Sequence, residues 1–121
     1  MKKYNEEHEW ISIEGETAVV GISKYAVEQL GDITFIELPE IDSEVSSGDS
    51  VAFIESVKAA SDIYTPISGI VIEVNEDLLD TPESLNKDAQ NIFIFKITFS
   101  DIGELNSLMN EEEYAQYIQT L

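Results

Sequence analysis

The sequence has no cysteine, no arginine and a single histidine. Without cysteine, neither a disulfide framework nor a Cys-ligated zinc site can form, so any thiol chemistry must come from a group added to the chain. With one histidine, His8, and no G-x-S-x-G motif, the chain offers few residues that could form a catalytic nucleophile–base pair. The sequence therefore predicts no catalytic residues, and His8, between acids and beside Trp10, predicts a packed or hydrogen-bonded structural residue.

Ordered ligand motifs are missing too. Asp42, Glu44 and Asp49 do not follow the calcium-loop pattern D-x-[DN]-x-[DN]-G, and no glycine-rich phosphate loop occurs. Carboxylates in exposed acidic loops are more simply explained as solvated side chains. We predict no metal site and no conventional enzyme.

Positive charge is scarce: six lysines face 25 acids, which gives a formal net charge of −19. Such a field repels phosphate backbones and anionic lipid surfaces, and it favours partners with basic docking faces. We therefore expect neither a nucleic acid nor a membrane as partner. The chain has no apolar run of the ~18 residues that a membrane span needs, and its start "MKKYNEEHEW" resembles neither a secretory signal nor an import leader. The expected location is the cytoplasm, or an organelle matrix if this is a mature chain.

Short strand-like runs dominate the chain of 121 residues, of which 43% are hydrophobic. They alternate with turn signals every eight to twelve residues, which is typical of a β-sandwich or flattened barrel. A hairpin is predicted through Glu14-Gly15-Glu16, and turns at Gly48-Asp49 and Ser68-Gly69. Further runs are "ITFIELP" (33–39), "VAFIES" (51–56), "ASDIYTPI" (60–67), "GIVIEVN" (69–75) and "IFIFKITF" (92–99). We predict one mainly-β domain over residues 1–121 with peripheral short helices.

Helical signals are confined to three places. A helix is predicted between a Ser23 cap and Gly31, and a short one with Thr81 as cap and Pro82 in its first position. The C-terminal segment, at about 101–120, is predicted to be helical with a break near Asn110. It contains two capping-box spacings, Asp101…Glu104 and Asn110…Glu113.

The most informative short stretch is "FIESVKAASDIY" (53–64), because of its lysine. From Tyr25 to Asn86 there are fourteen acids and one cation, Lys58. It lies in a polar break between two extended runs, with small neighbours, so a modifying enzyme could select it among the six lysines. Acylation would convert its ammonium to an amide and place a functional group on a long flexible arm. The alternative is an ordinary solvated turn lysine.

Several segments together resemble a known family. "ESVKAASDIYTPISGIVIEVN" (55–75) resembles the lipoyl-lysine hairpin of the glycine cleavage system H proteins. "EHEW" (7–10), "VGISKYAVEQLGDITFIELPE" (20–40) and "NEEEYAQYIQ" resemble that family's segments in the same order and spacing. Biotin carriers share the hairpin but flank the lysine with methionine, and lipoyl domains of 2-oxoacid dehydrogenases have an Asp-Lys pair at the tip. Both are weaker matches.

The resemblance implies a lipoyl-domain-like fold (a barrel-sandwich hybrid) and (R)-lipoate bound covalently to Lys58. Glu55, Ser56, Val57 and Ala59 would frame the lysine for the lipoylating enzyme. The protein would be a monomeric carrier rather than a catalyst, and the reactive chemistry would belong to the cofactor. This explains how a cysteine-free chain could take part in thiol chemistry.

The resemblance also implies three partner enzymes. A pyridoxal-phosphate glycine decarboxylase would load the aminomethyl group of glycine onto the arm, and a tetrahydrofolate-dependent aminomethyltransferase would remove it. A flavin-containing dihydrolipoyl dehydrogenase would then reoxidise the dithiol. Two alternatives stay open: a lipoyl relay that passes lipoyl groups on to other enzymes through Lys58, and an unmodified acidic interaction module.

By position, the resemblance makes Glu9 and Asp62 the candidates to face the amine of the loaded arm, because a carboxylate favours a protonated amine. The sequence departs from the family at three places. Asp42 stands where relatives usually have glycine, which predicts a differently shaped loop. Gln29 replaces a histidine found in some relatives, and "KDAQNIFIF" (87–95) lacks the customary Gly-Trp.

Overall fold

The computed structural model describes residues 2–121 and is mainly β. Nine strands and four α-helices follow one another in this part of the chain, with one 3₁₀ helix. The strands are β1 (Lys2–Tyr4), β2 (Glu9–Glu14), β3 (Thr17–Ile22), β4 (Ile33–Glu37), β5 (Glu44–Val45), β6 (Ser50–Ser56), β7 (Ala60–Tyr64), β8 (Gly69–Val74) and β9 (Phe95–Phe99). The helices are α1 (Lys24–Leu30), α2 (Asp77–Asp80), α3 (Ser84–Asp88), the 3₁₀ helix (Ile102–Ser107) and α4 (Glu111–Gln119).

The strands form two antiparallel sheets with the main core between them. The large sheet has the order β1-β2-β3-β9-β8-β5, and the small sheet has the order β4-β6-β7. Alternating residues of each strand point into the core, as in Ile36, Ile54 and Ile63 of the small sheet. Within residues 2–121 the sheets are not joined into a closed barrel. The sandwich form of the predicted mainly-β fold is thereby confirmed.

The large sheet is covered on its second face by the C-terminal helix. Trp10 and Val19, which point away from the main core, pack with Tyr4 of β1 and Tyr114 of α4. The rings of Tyr4 and Tyr114 stack with their centroids 4.3 Å apart. The β1–α4 end of the molecule therefore has a small aromatic core of its own.

Local signals in the first half of the chain predict the structure well. The hairpin through Gly15 is confirmed, with β2 and β3 paired from Glu14 opposite Thr17 to Glu9 opposite Ile22. Helix α1 is also confirmed: the Ser23 hydroxyl accepts a hydrogen bond from the Ala26 N–H at 3.1 Å, and Gly31 ends the helix with φ +82°.

Several predicted element boundaries are wrong, and the run 60–67 is a strand only as far as Tyr64. The run 92–99 becomes a strand only from Phe95, because Ile94 and Phe95 both enter the main core while Phe93 packs in the aromatic core. The predicted helix capped by Thr81 is also displaced. Thr81 instead follows α2, and the Ser84 hydroxyl donates to its carbonyl as α3 begins.

One of the two predicted capping boxes forms. At α4, the Asn110 side chain accepts from the Glu113 N–H and the Glu113 carboxylate accepts from the Asn110 N–H, as predicted. Near Asp101 the prediction is wrong, because Glu104 turns away from the 3₁₀ helix. Its carboxylate accepts from the N–H and hydroxyl of Ser68, at 2.7 and 2.8 Å. Glu104 thus fixes the C-terminal segment to the loop before β8.

Asp42 has a left-handed backbone with φ +73°, which is the conformation that glycine favours. An aspartate at the position where the resemblance expects glycine therefore does not by itself demand a different loop. We expect Asp42→Gly to leave the free energy of unfolding unchanged or to raise it by up to about 1 kcal/mol, and Asp42→Val to lower it by at least about 1 kcal/mol. Urea unfolding of the two variants measures both changes. Equal stabilities of the glycine and valine variants would contradict the backbone argument.

Candidate functional site

The lysine singled out in the sequence lies at the tip of the β6–β7 hairpin. Ser56 organises this turn: its N–H donates to the Ala59 carbonyl at 2.8 Å, and its hydroxyl oxygen lies 3.0 Å from the Ala59 nitrogen and 3.3 Å from the Lys58 nitrogen, both of which donate to it. Ser and Thr hydroxyls commonly replace backbone partners in tight turns in this way. One side chain therefore holds the backbone on both sides of Lys58.

Lys58 is exposed, and its stem lies close to the end of α1. A Cβ placed on Gly31 would be 3.5 Å from Lys58 Cε, so the hairpin tip and the helix end are neighbours. The Val57 N–H donates to the Asp32 carbonyl at 3.0 Å, which ties the tip to the α1–β4 connection. Among residues 2–121 the one salt bridge joins Lys96 to Glu73, so Lys58 has no carboxylate partner. The result is an accessible amine on a fixed turn.

The residues expected to frame Lys58 do lie around it. Val57 and Ala59 are its exposed chain neighbours, and Val57 is 70% exposed. Glu55 is exposed on β6, where it pairs with Ala60 of β7 and with Phe35 of β4. The hairpin therefore presents a lysine between small or aliphatic neighbours, with one carboxylate three residues away.

Glu9, expected to face an amine, is buried at 2% exposure at the start of β2. Asn5 Nδ2 donates to Glu9 Oε1 at 2.6 Å, and the Tyr64 N–H donates to Oε2 at 3.3 Å. Asn5 is itself fixed, because its Oδ1 accepts from the N–H groups of Glu7 and Glu9. Glu9 thus connects the large sheet to the small one.

Burial raises the pKa of Glu9 from 4.5 to about 8, and the hydrogen bonds from Asn5 and Tyr64 only partly oppose this shift. This raised pKa favours the protonated form of the carboxyl group at neutral pH. A buried carboxyl group with a strongly perturbed pKa is typical of functional sites.

Asp62 lies on the same strand as the backbone partner of Glu9. β7 is an edge strand of the small sheet, and Glu9 accepts a hydrogen bond from the Tyr64 N–H of this strand. Asp62 is exposed two residues earlier, roughly 7 Å along the strand. Along β7, the order from the hairpin tip is therefore Lys58, Asp62 and then the contact with Glu9.

His8 has the structural role that the sequence predicts. Its Nδ1 lies 2.7 Å from the Tyr114 hydroxyl, which lies 2.7 Å from the Ser23 hydroxyl. Burial lowers the pKa of His8 and raises the pKa of Tyr114 to about 12, so both groups are neutral near pH 7. The network holds α4 against the β2 and α1 regions.

Sequence reasoning missed three residues of this region: Asn5, Tyr64 and Gly31. Asn5 could have been found, since an asparagine in a short connection commonly accepts from the backbone N–H group two residues later. The contacts of Tyr64 and Gly31 join segments more than 25 residues apart, and no local pattern indicates them.

Metal-binding clusters and membrane-spanning helices are both missing from the described part of the chain. Residues 2–121 contain no cluster of three or more His, Cys, Asp or Glu side chains arranged to hold a metal ion. No helix in these residues is both long enough and apolar enough to cross a membrane.

Comparison with known proteins places the chain among carrier proteins of one system. The family model described as "Glycine cleavage H-protein" matches residues 2–121. A glycine cleavage system H protein of Thermotoga maritima is 51% identical over 118 residues, which cover 97% of this chain and 95% of the relative. One of Vibrio cholerae is 50% identical over 119 residues, covering 97% and 94%. The crystal structure of the glycine cleavage system H protein from Mycobacterium marinum superposes with a TM-score of 0.89 at 35% identity, covering 98% of this chain and 96% of that one.

The sandwich with its exposed hairpin lysine, together with these matches, defines the class of protein: a carrier component of a multienzyme system and not a catalyst. More particularly, the chain belongs to the glycine cleavage H-protein family. The resemblance described from the sequence is confirmed.

Proposed function

We propose that this protein carries lipoate on Lys58 and shuttles the aminomethyl group of glycine between the enzymes of the glycine cleavage system. The observation that supports the proposal most is the hairpin tip itself. It presents one exposed lysine, without a salt-bridge partner in the described residues, on a turn fixed by Ser56. Membership of the H-protein family supports the same assignment.

The residues at the tip fit an amide-linked arm. The short side chains of Val57 and Ala59 leave the Lys58 nitrogen accessible to a lipoylating enzyme, and amide formation meets no competing ion pair in the described residues. Ser56, which fixes the turn, would present the same backbone before and after modification. The bound lipoate would supply the disulfide and dithiol chemistry that a cysteine-free chain lacks.

Glu9 and Asp62 are proposed to hold the carried amine. Both carboxyl groups are associated with β7, so an arm that folds back from Lys58 along this strand reaches Asp62 first and then the Glu9 region. A cationic amine close to Glu9 would lower its pKa and favour the ionised carboxylate. The resulting ion pair in a poorly hydrated position would limit loss of ammonia from the carried group.

The partners follow from this role. We propose a pyridoxal-phosphate glycine decarboxylase, a tetrahydrofolate-dependent aminomethyltransferase and a dihydrolipoyl dehydrogenase as successive partners, with a separate lipoylating enzyme. We also propose that the protein works as a monomer in the cytoplasm, or in an organelle matrix if this is a mature chain.

Intact mass tests the attachment site. Wild-type protein produced in cells supplied with lipoate is expected to gain one lipoyl group, and Lys58→Ala none, because the substitution removes the acylated nitrogen. Lys87→Ala is the matched control, since it removes another exposed lysine outside the hairpin and leaves modification intact. Peptide mapping then locates the group on the segment that contains Lys58.

An unmodified wild-type chain, in a host that lipoylates other H proteins, would overturn the carrier mechanism and favour an unmodified interaction module. A lipoylated chain that supports lipoyl transfer to other enzymes in cells without glycine decarboxylase would instead indicate the relay function.

A further inference from the structure

The small sheet has a face that does not contact the core. Its strands β4, β6 and β7 direct Ile36, Ile54 and Ile63 inward, so alternate residues point outward. The outward residues define what we call the outer face: Phe35, Glu37, Phe53, Glu55, Ala60 and Asp62. All are exposed except Phe53, which is half-buried, and Phe35 is 46% exposed.

The strand register arranges aromatic and acidic side chains next to each other on this face. Phe35 lies opposite Glu55, and Phe53 lies between Glu37 on one side and Asp62 on the other. Directly opposed residues are close enough for their side chains to form one surface. In residues 2–121 none of the three carboxylates has a cationic partner, because the single salt bridge there is Lys96–Glu73. The outer face is therefore both apolar and uncompensated in charge.

The outer face is continuous with the turn that carries Lys58. Strands β6 and β7 run directly into this turn, and Val57, at 70% exposure, adds an aliphatic side chain beside the lysine. An enzyme that admits the Lys58 side chain into its active site must bring its rim close to these strands. This step rests on the proposed function of Lys58.

We propose that the outer face is the docking surface for the lipoylating enzyme that acts on Lys58. The complementary partner has lysines or arginines around its active-site entrance, positioned for Glu37 and its neighbouring acids, and an apolar patch that receives Phe35 and Phe53. Exposed aromatic side chains are frequent binding hot spots, while rim charges mainly increase the association rate and its dependence on salt.

Lipoylation kinetics of the unmodified protein test the proposal with a purified lipoylating enzyme, lipoate and ATP. We expect Phe35→Ser and Glu37→Lys each to lower kcat/KM for the carrier by about tenfold, mostly through KM, which corresponds to the loss of one significant contact. Glu37→Lys should also reduce the fall of kcat/KM with added salt, since it replaces an attractive charge. Neither residue is part of the attachment turn.

A matched pair on the large sheet provides the control. Ile70, 42% exposed, lies opposite Glu44, so Ile70→Ser and Glu44→Lys make comparable changes away from Lys58, one of an exposed apolar residue to serine and one of glutamate to lysine. Both are expected to keep wild-type kinetics. Thermal unfolding verifies that all four variants are folded. Wild-type kinetics in Phe35→Ser and Glu37→Lys, or equal losses in the control pair, would overturn the docking surface. Failure of the wild-type chain to accept lipoate would instead overturn the proposed function.

Discussion

A Gly21→Ala variant is expected to lose about 2–6 kcal/mol of unfolding free energy, because Gly21 lies directly beneath the ring of Trp10. A Cβ at this position would lie 2.5 Å from two ring carbons of Trp10 and 2.8 Å from Nε1. The two residues are paired across β2 and β3, and Trp10 is only 3% exposed. The indole must therefore move, and overpacking of this kind commonly costs 1–3 kcal/mol.

The displacement has a second cost at α3. Trp10 Nε1 donates to the Ala89 carbonyl at 3.0 Å, and a shifted indole leaves both groups buried without a partner. A lost buried hydrogen bond adds about 1–3 kcal/mol. The aromatic core under α4 shares Trp10, so we also expect near-ultraviolet circular dichroism to change.

Chemical unfolding measures this prediction, and two comparisons make it specific. Gly15→Ala is the control: Gly15 has φ +65° and no other atom near its Cβ position, so it reports backbone strain alone, about 1 kcal/mol. Trp10→Phe should partly rescue Gly21→Ala, because a smaller ring leaves room for the methyl group. The double variant should therefore lose less unfolding free energy than the two single variants lose in sum. A loss below about 1 kcal/mol in Gly21→Ala would contradict the steric argument.

The contact of Trp10 with Gly21 also shows what the sequence could not predict. The hairpin that pairs β2 with β3 follows from Gly15 and two β-rich runs, since both signals are local. The use of both faces of β2 does not follow from them. Ile11 enters the main core while Trp10 enters the aromatic core, so polar side chains mark the second face of β2 only from Ser12 onward.

Contacts between distant segments also explain two wrong predictions in the C-terminal half, the start of β9 and the capping box at Asp101. Between Phe93 and Phe95 the alternation of buried residues fails because side chains enter two different cores. Glu104 has the spacing of a capping box, yet its carboxylate accepts hydrogen bonds from Ser68, which lies on a loop distant in sequence. Local spacing indicates which hydrogen bonds are possible, and tertiary packing decides which of them form.

The candidate site likewise contains residues that a local motif indicates and residues whose position depends on tertiary packing. Lys58 and its framing residues lie within five consecutive positions, so a short motif could indicate them together. Glu9 could be chosen as a site residue only because the segment 7–10 resembles a segment of the H-protein family. Its burial, and its contact with β7, depend on the packing of one sheet against the edge of the other.

The second large effect that we expect is a fall in the free energy of unfolding with rising pH, caused by Glu9. Below about pH 4.5 the carboxyl group is protonated in both the folded and the unfolded chain. Between about pH 4.5 and 8 the unfolded chain releases this proton while the folded chain retains it, so the free energy of unfolding falls as the pH rises. Above about pH 8 both forms are ionised and the loss is constant. At roughly 1.4 kcal/mol per pKa unit, the total loss is a few kcal/mol.

A Glu9→Gln variant isolates this effect. The glutamine amide does not titrate, so the unfolding free energy of the wild type should fall relative to that of Glu9→Gln across this pH window. The altered hydrogen bonds of the variant add only a difference that does not change with pH. Glu14→Gln, at the exposed end of the same strand, is the control and should lose stability across the same pH window as the wild type, because it retains Glu9. Urea unfolding at half-unit pH steps measures all three. A flat difference between wild type and Glu9→Gln from pH 5 to 8 would contradict the raised pKa.

The same proton links stability to the proposed carrier role. An amine cation held close to Glu9 favours its ionised form, so the loaded protein is expected to release the proton that the empty protein retains. Carboxyl carbon NMR of labelled glutamate should then show a lower pKa for Glu9 after loading, and the loaded form of Glu9→Gln should lose its amine faster than the loaded wild type. An unchanged pKa together with an unchanged lifetime would remove Glu9 from the amine site and leave it a structural link between the two sheets.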